Sequence, residues 1–174
     1  MFREPKAAVA ESLGISCKIV RAPQCERRIA ACNDWEPYLA VDIVASSGVF
    51  DAAAEQSVVT RVYAALLAAI DATDDERVSS IMGVTLHVVP AERVTIGGRV
   101  ASSVRIDVVL PAIALASFRR RRRFIAEATA AIVALSSDPT IEERVVVRIM
   151  HSVDGGWGIG GHAFTNDEID EGAE

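Results

Sequence analysis

The chain contains an internal repeat, and this repeat limits the possible folds more than any other feature of the sequence. Three pairs of short segments share residue types in the same order: 41–44 with 106–109, 68–70 with 130–132, and 96–98 with 159–161. The second and third pairs are offset by 62 residues (70 to 132) and 63 residues (97 to 160). A matched order at a nearly constant offset indicates two copies of one structural unit. The alternative is chance similarity in a chain rich in alanine and valine.

Each copy carries one helix signal between two strand signals. Asp51 and Ser117 are predicted to cap helices, because apolar residues follow each of them at three- and four-residue steps. These apolar residues are Val58, Val59, Val62, Leu66 and Ile70 in the first helix, and Phe124, Ile125, Ala128, Ile132 and Leu135 in the second. Short β-branched segments predict strands at 38–44, 84–89, 104–110 and 145–150.

The predicted fold class is therefore α+β, a tandem β-α-β repeat that forms one sheet with two helices on one face. Each crossover should be right-handed and join parallel strands. The glycine pairs at 97–98 and 160–161 allow tight turns into a short extra strand. The second face and the edges of such a sheet stay uncovered in a single chain, so we expect self-association.

The charge distribution argues against two classes of partner. The net charge is −6 over 174 residues, and residues 37–174 alone carry −7. A field of this sign disfavours general nucleic-acid binding, which relies on clustered positive charge. No apolar stretch is long enough to span a bilayer, and no signal-peptide pattern follows Met1, so we expect a cytoplasmic protein without a membrane partner.

The cysteines do not form a recognisable metal or redox motif. Cys17, Cys25 and Cys32 are odd in number, lack C-x-x-C spacing and lie far in sequence from the histidines. We expect reduced, incidental thiols, no bound metal and no cofactor. A metal or redox role for these thiols is the less favoured alternative.

Two segments resemble a known family. The strand at 143–150, followed by a short loop and Trp157-Gly158-Ile159-Gly160-Gly161, resembles the carboxyl-terminal half of the 4-oxalocrotonate tautomerases. The segment Pro37–Ile43 resembles the start of a tautomerase after removal of its initiator methionine. The chain is thus identified as a member of the tautomerase superfamily, in the fused two-unit form known from proteins like macrophage migration inhibitory factor.

The resemblance implies an organisation of the whole chain. A single tautomerase-like domain would span 37–168, with units at 37–100 and 101–164. Residues 1–36 would be an amino-terminal extension of unknown role, and residues 169–174 an acidic, frayed tail. The same resemblance implies a homotrimer.

The family's chemistry assigns candidate site residues. Arginines bind the substrate carboxylate, and Arg144, at the start of the last long strand, is the better match in register, with Arg148 as the alternative. Trp157 takes the place of the aromatic residue that lines the site. Pro37 matches the catalytic terminal proline, but Glu36 precedes it, so its nitrogen is a tertiary amide and can act as a base only after cleavage.

Five consecutive arginines, 119–123, follow the predicted cap of the second helix. Cations are slightly unfavourable at this positive end of the helix dipole, so the run suggests an anion site in which Arg119 and Arg120 bind substrate. The more economical interpretation is a solvated or subunit-bridging cluster. His87 and His162 are weaker candidates: His87 is expected as a satisfied core or interface residue, and His162 as an exposed hairpin residue.

Three functions remain open at this point. The chain could be an isomerase of the tautomerase type, acting on a small 2-oxo or enol carboxylic acid. It could be a catalytically silent relative that serves as an oligomeric ligand- or protein-binding scaffold. It could also be a precursor from which residues 1–36 are removed. The retained arginine and tryptophan favour the first and third hypotheses, whereas the blocked proline favours the second.

Overall fold

The computed structural model describes residues 38–159 and 161–171. Its strands are β1 (Tyr38–Ser46), β2 (Met82–Val89), β3 (Thr95–Ile96), β4 (Arg99–Val100), β5 (Val104–Pro111), β6 (Val145–Ser152), β7 (Trp157–Ile159) and β8 (His162–Phe164). Its α-helices are α1 (Ala52–Ile70), α2 (Glu76–Ile81), α3 (Phe118–Leu135) and α4 (Asn166–Glu171). Two 3-10 helices lie at Ala91–Arg93 and Ile141–Arg144. Pro37 and the three cysteines lie outside the described residues.

The four long strands form one sheet in the order β2-β1-β5-β6. The outer pairs β1–β2 and β5–β6 are parallel, and the central pair β1–β5 is antiparallel. Asp42 and Asp107, which correspond to each other in the repeat, are also register partners across the central pair. A pseudo-twofold axis therefore passes between these two residues, and the predicted tandem β-α-β architecture is confirmed.

Both predicted helix caps are present. The Asp51 carboxylate accepts a hydrogen bond from the Ala54 backbone N–H at 2.7 Å, and the Ser117 hydroxyl accepts one from the Arg120 N–H at 3.2 Å. Each bond satisfies an amide that the first helical turn leaves without a partner. The start of each helix is thus set by the residue that the sequence predicts.

The two long helices bury one face of the sheet. The buried core joins inward residues of β1 and β5 to α1 and α3, and its largest fully buried side chains include Ile43, Leu66, Ile106, Phe124 and Ile132. Ile125 was expected in this core but is 40% exposed. Successive helical residues are separated by about 100°, so Phe124 takes the inward position and Ile125 turns away.

The opposite face of the sheet is not covered by any described element. Along β5, buried Ile106 and Val108 alternate with Arg105, Asp107 and Val109, which point to this second face. Val109, Val146 and Met150 are 39%, 52% and 44% exposed. We call this surface the open face.

Among the helices of the described residues, none has the length and apolar character that spanning a bilayer requires.

The carboxyl-terminal segment differs from expectation. Residues 169–171 were expected in a frayed tail but belong to α4. Thr165 and Glu168 form a capping box at its start: Glu168 accepts from the Thr165 N–H at 2.8 Å, and the Thr165 hydroxyl accepts from the Glu168 N–H at 3.3 Å. This reciprocal pair initiates a helix that acidic composition alone does not predict.

Candidate functional site

The second hairpin, β7–β8, places three ring-bearing side chains on one face. Trp157 pairs with Phe164 in the β-ladder, and His162 lies two residues before Phe164. Directly opposed residues and residues two apart along a strand share a face, so all three side chains point the same way. The His162 and Phe164 rings make an edge-to-face contact, with centroids 4.5 Å apart and planes at 82°.

A carboxylate lies beside the imidazole of this hairpin. One oxygen of Glu168, Oε2, accepts hydrogen bonds from the Thr165 N–H and hydroxyl at 2.8 and 3.0 Å. The other oxygen, Oε1, lies 3.6 Å from His162 Nε2. The bonds from Thr165, first from its backbone and then from its side chain, lower the pKa of Glu168, and His162 lowers it further. The carboxylate is therefore ionised and held in position.

His162 has one enclosed nitrogen. Its Nε2 atom is buried and has no hydrogen-bond partner in the described part of the chain, while the side chain as a whole is 39% exposed. The ring was expected at an exposed hairpin position, but it is half-buried between Phe164 and Glu168. The Thr165-x-x-Glu168 spacing is the sequence signal that could have located this carboxylate.

Arg144 lies one residue before β6, at the end of the 3-10 helix, and not on the strand as expected. Its Nη2 donates to Asp138 Oδ2 at 2.5 Å and to Thr140 Oγ1 at 2.9 Å. The pKa of Asp138 is lowered, first by the backbone and side-chain bonds from Thr140 and then by Arg144. Arg144 Nε is buried, and no residue within 38–159 or 161–171 forms a hydrogen bond with it. The contacts of Arg144 thus brace the loop that leads into β6.

Arg148 lies on the open face of the sheet. Its guanidinium binds the Asp107 carboxylate through two hydrogen bonds, at 2.6 and 2.8 Å, and Arg105 adds a third at 2.8 Å. Hydrogen bonding to Arg148 is the main reason that the pKa of Asp107 is lowered. His87 and Asp42 form a further pair on this face, at 3.2 Å. The open face therefore carries a row of ion pairs across all four strands.

Two arginines of the 119–123 run join α3 to the end of α1. Arg120 contacts the Asp71 carboxylate at 2.6 Å, and Arg123 contacts it at 3.8 Å. Asp71 is the C-cap of α1 and has a positive φ of 60°. Arg123 also pairs with Glu127 at 2.9 Å, which is the main cause of its raised pKa. Both arginines thus form ion pairs within the chain.

The remaining arginines of the run divide into two groups. Arg121 donates to the carbonyls of Leu115 and Ala116, at 3.0 and 2.5 Å, and so holds the turn before α3. Arg119 and Arg122 make no ion pair with any described residue. Arg122 also lines an apolar groove of about 960 Å³ along α3, which sequence reasoning missed because the groove depends on how α3 packs beside β6.

The structure thus brings together Trp157 and His162, with Glu168 beside the imidazole, on the second hairpin. It places Arg148 on the open face and Arg144 in the loop before β6. The carboxylate partners of these two arginines are Asp107 for Arg148 and Asp138 for Arg144. The position of Pro37 lies outside the described residues.

Comparison with known proteins identifies the architecture. No protein-family model and no curated protein matches the chain. Solved structures do match. The structure of Pt0534 inactivated by 2-oxo-3-pentynoate is 18% identical to this chain, with a TM-score of 0.61. The alignment covers 74% of this chain and 98% of the Pt0534 chain. A symmetric trimer of fused 4-OT is 17% identical with a TM-score of 0.61, covering 74% and 97%. The FG41 malonate semialdehyde decarboxylase inhibited by 3-bromopropiolate is 16% identical with a TM-score of 0.55, covering 77% and 96%.

At this level of identity, the likeness establishes the fold. The matched proteins are aligned over nearly their whole length, with TM-scores of 0.55 to 0.61. The chain therefore has the fold of the tautomerase superfamily, in its fused two-unit form.

Proposed function

We propose that this chain is a tautomerase-type protein that binds a small 2-oxo or enol carboxylic acid and promotes its keto–enol tautomerisation. The observation that carries the proposal is the second hairpin, whose face combines a flat indole with an imidazole. Two neighbours in fold are described with 2-oxo-3-pentynoate and 3-bromopropiolate, both small unsaturated carboxylates. A ligand of this chemical class suits the aromatic face of the hairpin.

The site residues divide by chemical role. Trp157 would cover the π-face of a planar enol acid, and Arg144 would bind its carboxylate, with Arg148 as the alternative register. From the arginine run, Arg119 is the stronger second cation because no described ion pair engages it. Arg120 would first have to leave Asp71, which it contacts at 2.6 Å.

Pro37 could act as the base, as the terminal proline does in the family, only if it were the first residue of the chain. A secondary amine can accept the proton, whereas the amide nitrogen in the Glu36–Pro37 bond cannot. We expect the full-length chain to be a weak catalyst and a chain that begins at Pro37 to be a faster one. Ketonisation of phenylenolpyruvate and of 2-hydroxymuconate by the two chains tests this expectation. Intact mass of the protein from its native host reports whether cleavage occurs.

A catalytically silent scaffold is the second candidate function, and the Glu36–Pro37 peptide bond favours it. Calorimetric titration with oxalate separates the two candidates. Binding of oxalate without turnover by either chain would support the scaffold. Absence of both binding and turnover would contradict the proposed function.

We also propose a homotrimer. The open face exposes apolar side chains beside a row of ion pairs, and such a face needs a partner. Fused 4-OT neighbours are described as trimers, one of them symmetric. Light scattering should return three chains, and Val146→Glu, on the open face, should dissociate them. Val153→Glu, at a loop position that is 79% exposed, is the matched control. A monomer at micromolar concentration would contradict the proposal.

A further inference from the structure

We propose that His162 is the general base of the full-length chain and that Glu168 is its positioning residue. The inference rests on the proposed function and names the group that moves the proton while Pro37 is blocked. It assigns catalysis to the second hairpin, which is 120 residues away from Pro37 in sequence (37 to 157).

Glu168 has the geometry of an orienting carboxylate. Its Oε2 is fixed by the backbone N–H and hydroxyl of Thr165, and its Oε1 faces His162 Nε2 at 3.6 Å. A small rotation of the imidazole closes this distance to a hydrogen bond, and catalytic contacts are often long before a ligand binds. A carboxylate that accepts from one imidazole nitrogen fixes the tautomer and stabilises the imidazolium.

The burial of the ring selects the reactive nitrogen. Nε2 is enclosed and has no hydrogen-bond partner among the described residues, so Glu168 is the nearby acceptor for its proton. Among the described residues, Glu168 is also the one charged group within ion-pair distance of the ring. Phe164 packs against the ring at 4.5 Å and restricts its orientation. Nδ1 then carries the lone pair.

The base lies on the same face as the proposed ligand-covering residue. Trp157 pairs directly with Phe164, and His162 is the diagonal neighbour of Trp157 in the hairpin. Diagonal neighbours lie about 7–8 Å apart, close enough for long side chains to contact one small molecule. A planar enol acid stacked on the indole would therefore place its reacting atoms within reach of the imidazole.

The proton transfer balances without a cofactor. In ketonisation, Nδ1 accepts the proton of the enol hydroxyl, and the electron pair of that O–H bond forms the carbonyl π bond. The C=C π pair takes a proton from the imidazolium at the carbon next to the new carbonyl. The base is regenerated neutral, and the reverse sequence is enolisation.

Three variants of the full-length chain test the assignment. His162→Gln removes the base, and Glu168→Gln removes the charge but keeps a residue that completes the capping box. His151→Gln is the matched control, because His151 contacts the Ala114 carbonyl at 2.9 Å and lies outside the hairpin. The readout is phenylenolpyruvate ketonisation as a function of pH, measured above the buffer rate. Thermal melting verifies that each variant folds.

We expect His162→Gln to lower kcat about 10²–10⁴-fold, the usual contribution of a general base, and His151→Gln to leave kcat unchanged. Glu168→Gln should lower kcat and leave KM unchanged, since the imidazole loses the carboxylate that orients it while the ligand keeps its contacts. A purely structural Glu168 would not produce this split between kcat and KM.

Two results would overturn the assignment. One is a folded His162→Gln variant that retains wild-type turnover. The other is a full-length chain without turnover above the buffer rate. In either case, turnover by the chain that begins at Pro37 would leave the proposed function standing. Loss of binding and turnover in every form would overturn both.

Discussion

The start of α3 is electrostatically unfavourable, and Ser117→Asp should correct it. The first turn of α3 contains no acidic residue, and the 119–123 arginine run begins within it. The start of α1 differs, because Asp51 caps it and Glu55 lies in its first turn. An aspartate at position 117 would keep the cap bond to the Arg120 N–H, now 3.2 Å, and place a negative charge at the positive end of the helix dipole.

The expected gain can be summed from two interactions. A charge at the helix start contributes about 0.3–1 kcal/mol. Attraction to Arg120 and Arg121, three and four residues further on, adds about 0.2–0.5 kcal/mol per pair. Because Arg120 already forms an ion pair with Asp71 at 2.6 Å, its attraction to the new carboxylate lies at the low end of this range. The total gain in unfolding free energy is about 1 kcal/mol, which corresponds to a rise in Tm of about 2–4 °C for a domain of this size.

The assay is thermal unfolding of the wild type, Ser117→Asp and Ser117→Asn at one protein concentration, in low and in high salt. Asparagine caps as well as aspartate but carries no charge, so it isolates the electrostatic part. The advantage of Ser117→Asp should shrink in high salt, since exposed charges are screened. Equal Tm values for the aspartate and asparagine variants in low salt would refute the reasoning.

Two further predictions follow from the ion pairs. Arg144→Ala should weaken oxalate binding about 10- to 100-fold in calorimetry, as expected for a lost hydrogen bond to a charged group. It should also lower Tm, because Asp138 and Thr140 lose a partner; unchanged affinity would remove Arg144 from the site. The pKa of Asp107 is lowered in the folded chain. Its carboxylate therefore stabilises the fold at pH values above its pKa in the unfolded chain, and this stabilisation is lost as the pH falls through its pKa in the folded chain. Asp107→Asn should therefore flatten the acid limb of the stability–pH curve, and an unchanged limb would contradict this.

Features that depend on neighbouring residues could be predicted from the sequence. The caps at Asp51 and Ser117 act over three residues, and the turn at Gly97-Gly98 needs two consecutive positive φ angles, 58° and 76°. The repeat then fixes how these local elements combine, because two β-α-β units have few ways to share one sheet. The architecture followed from short-range chemistry and one duplication.

The candidate site was less predictable because its contacts join distant residues. Arg120 and Asp71 are separated by 49 positions, and Arg148 and Asp107 by 41. Such pairings depend on strand register and on how α3 packs, and neither can be read from charge patterns. Arg144 was expected on a strand, but it lies at the end of a 3-10 helix and pairs with Asp138.

The two halves of the repeat have diverged at their hairpins. At an offset of 63, Trp157, His162 and Phe164 correspond to Val94, Arg99 and Ala101. The correspondence holds in the backbone: the Ala101 N–H donates to the Val94 carbonyl at 3.2 Å, and Phe164 pairs with Trp157 in the same way along the ladder.

The first hairpin, β3–β4, therefore has the same antiparallel pairing as the second but lacks its aromatic and imidazole groups. One hairpin of a duplicated chain can lose its site side chains, because the fold needs only the backbone pairing and the buried face of each unit. A trimer of such chains would contain six hairpins but only three that can bind an enol acid. Calorimetry with oxalate should accordingly approach one ligand per chain, and two per chain would mean that the first hairpin also binds.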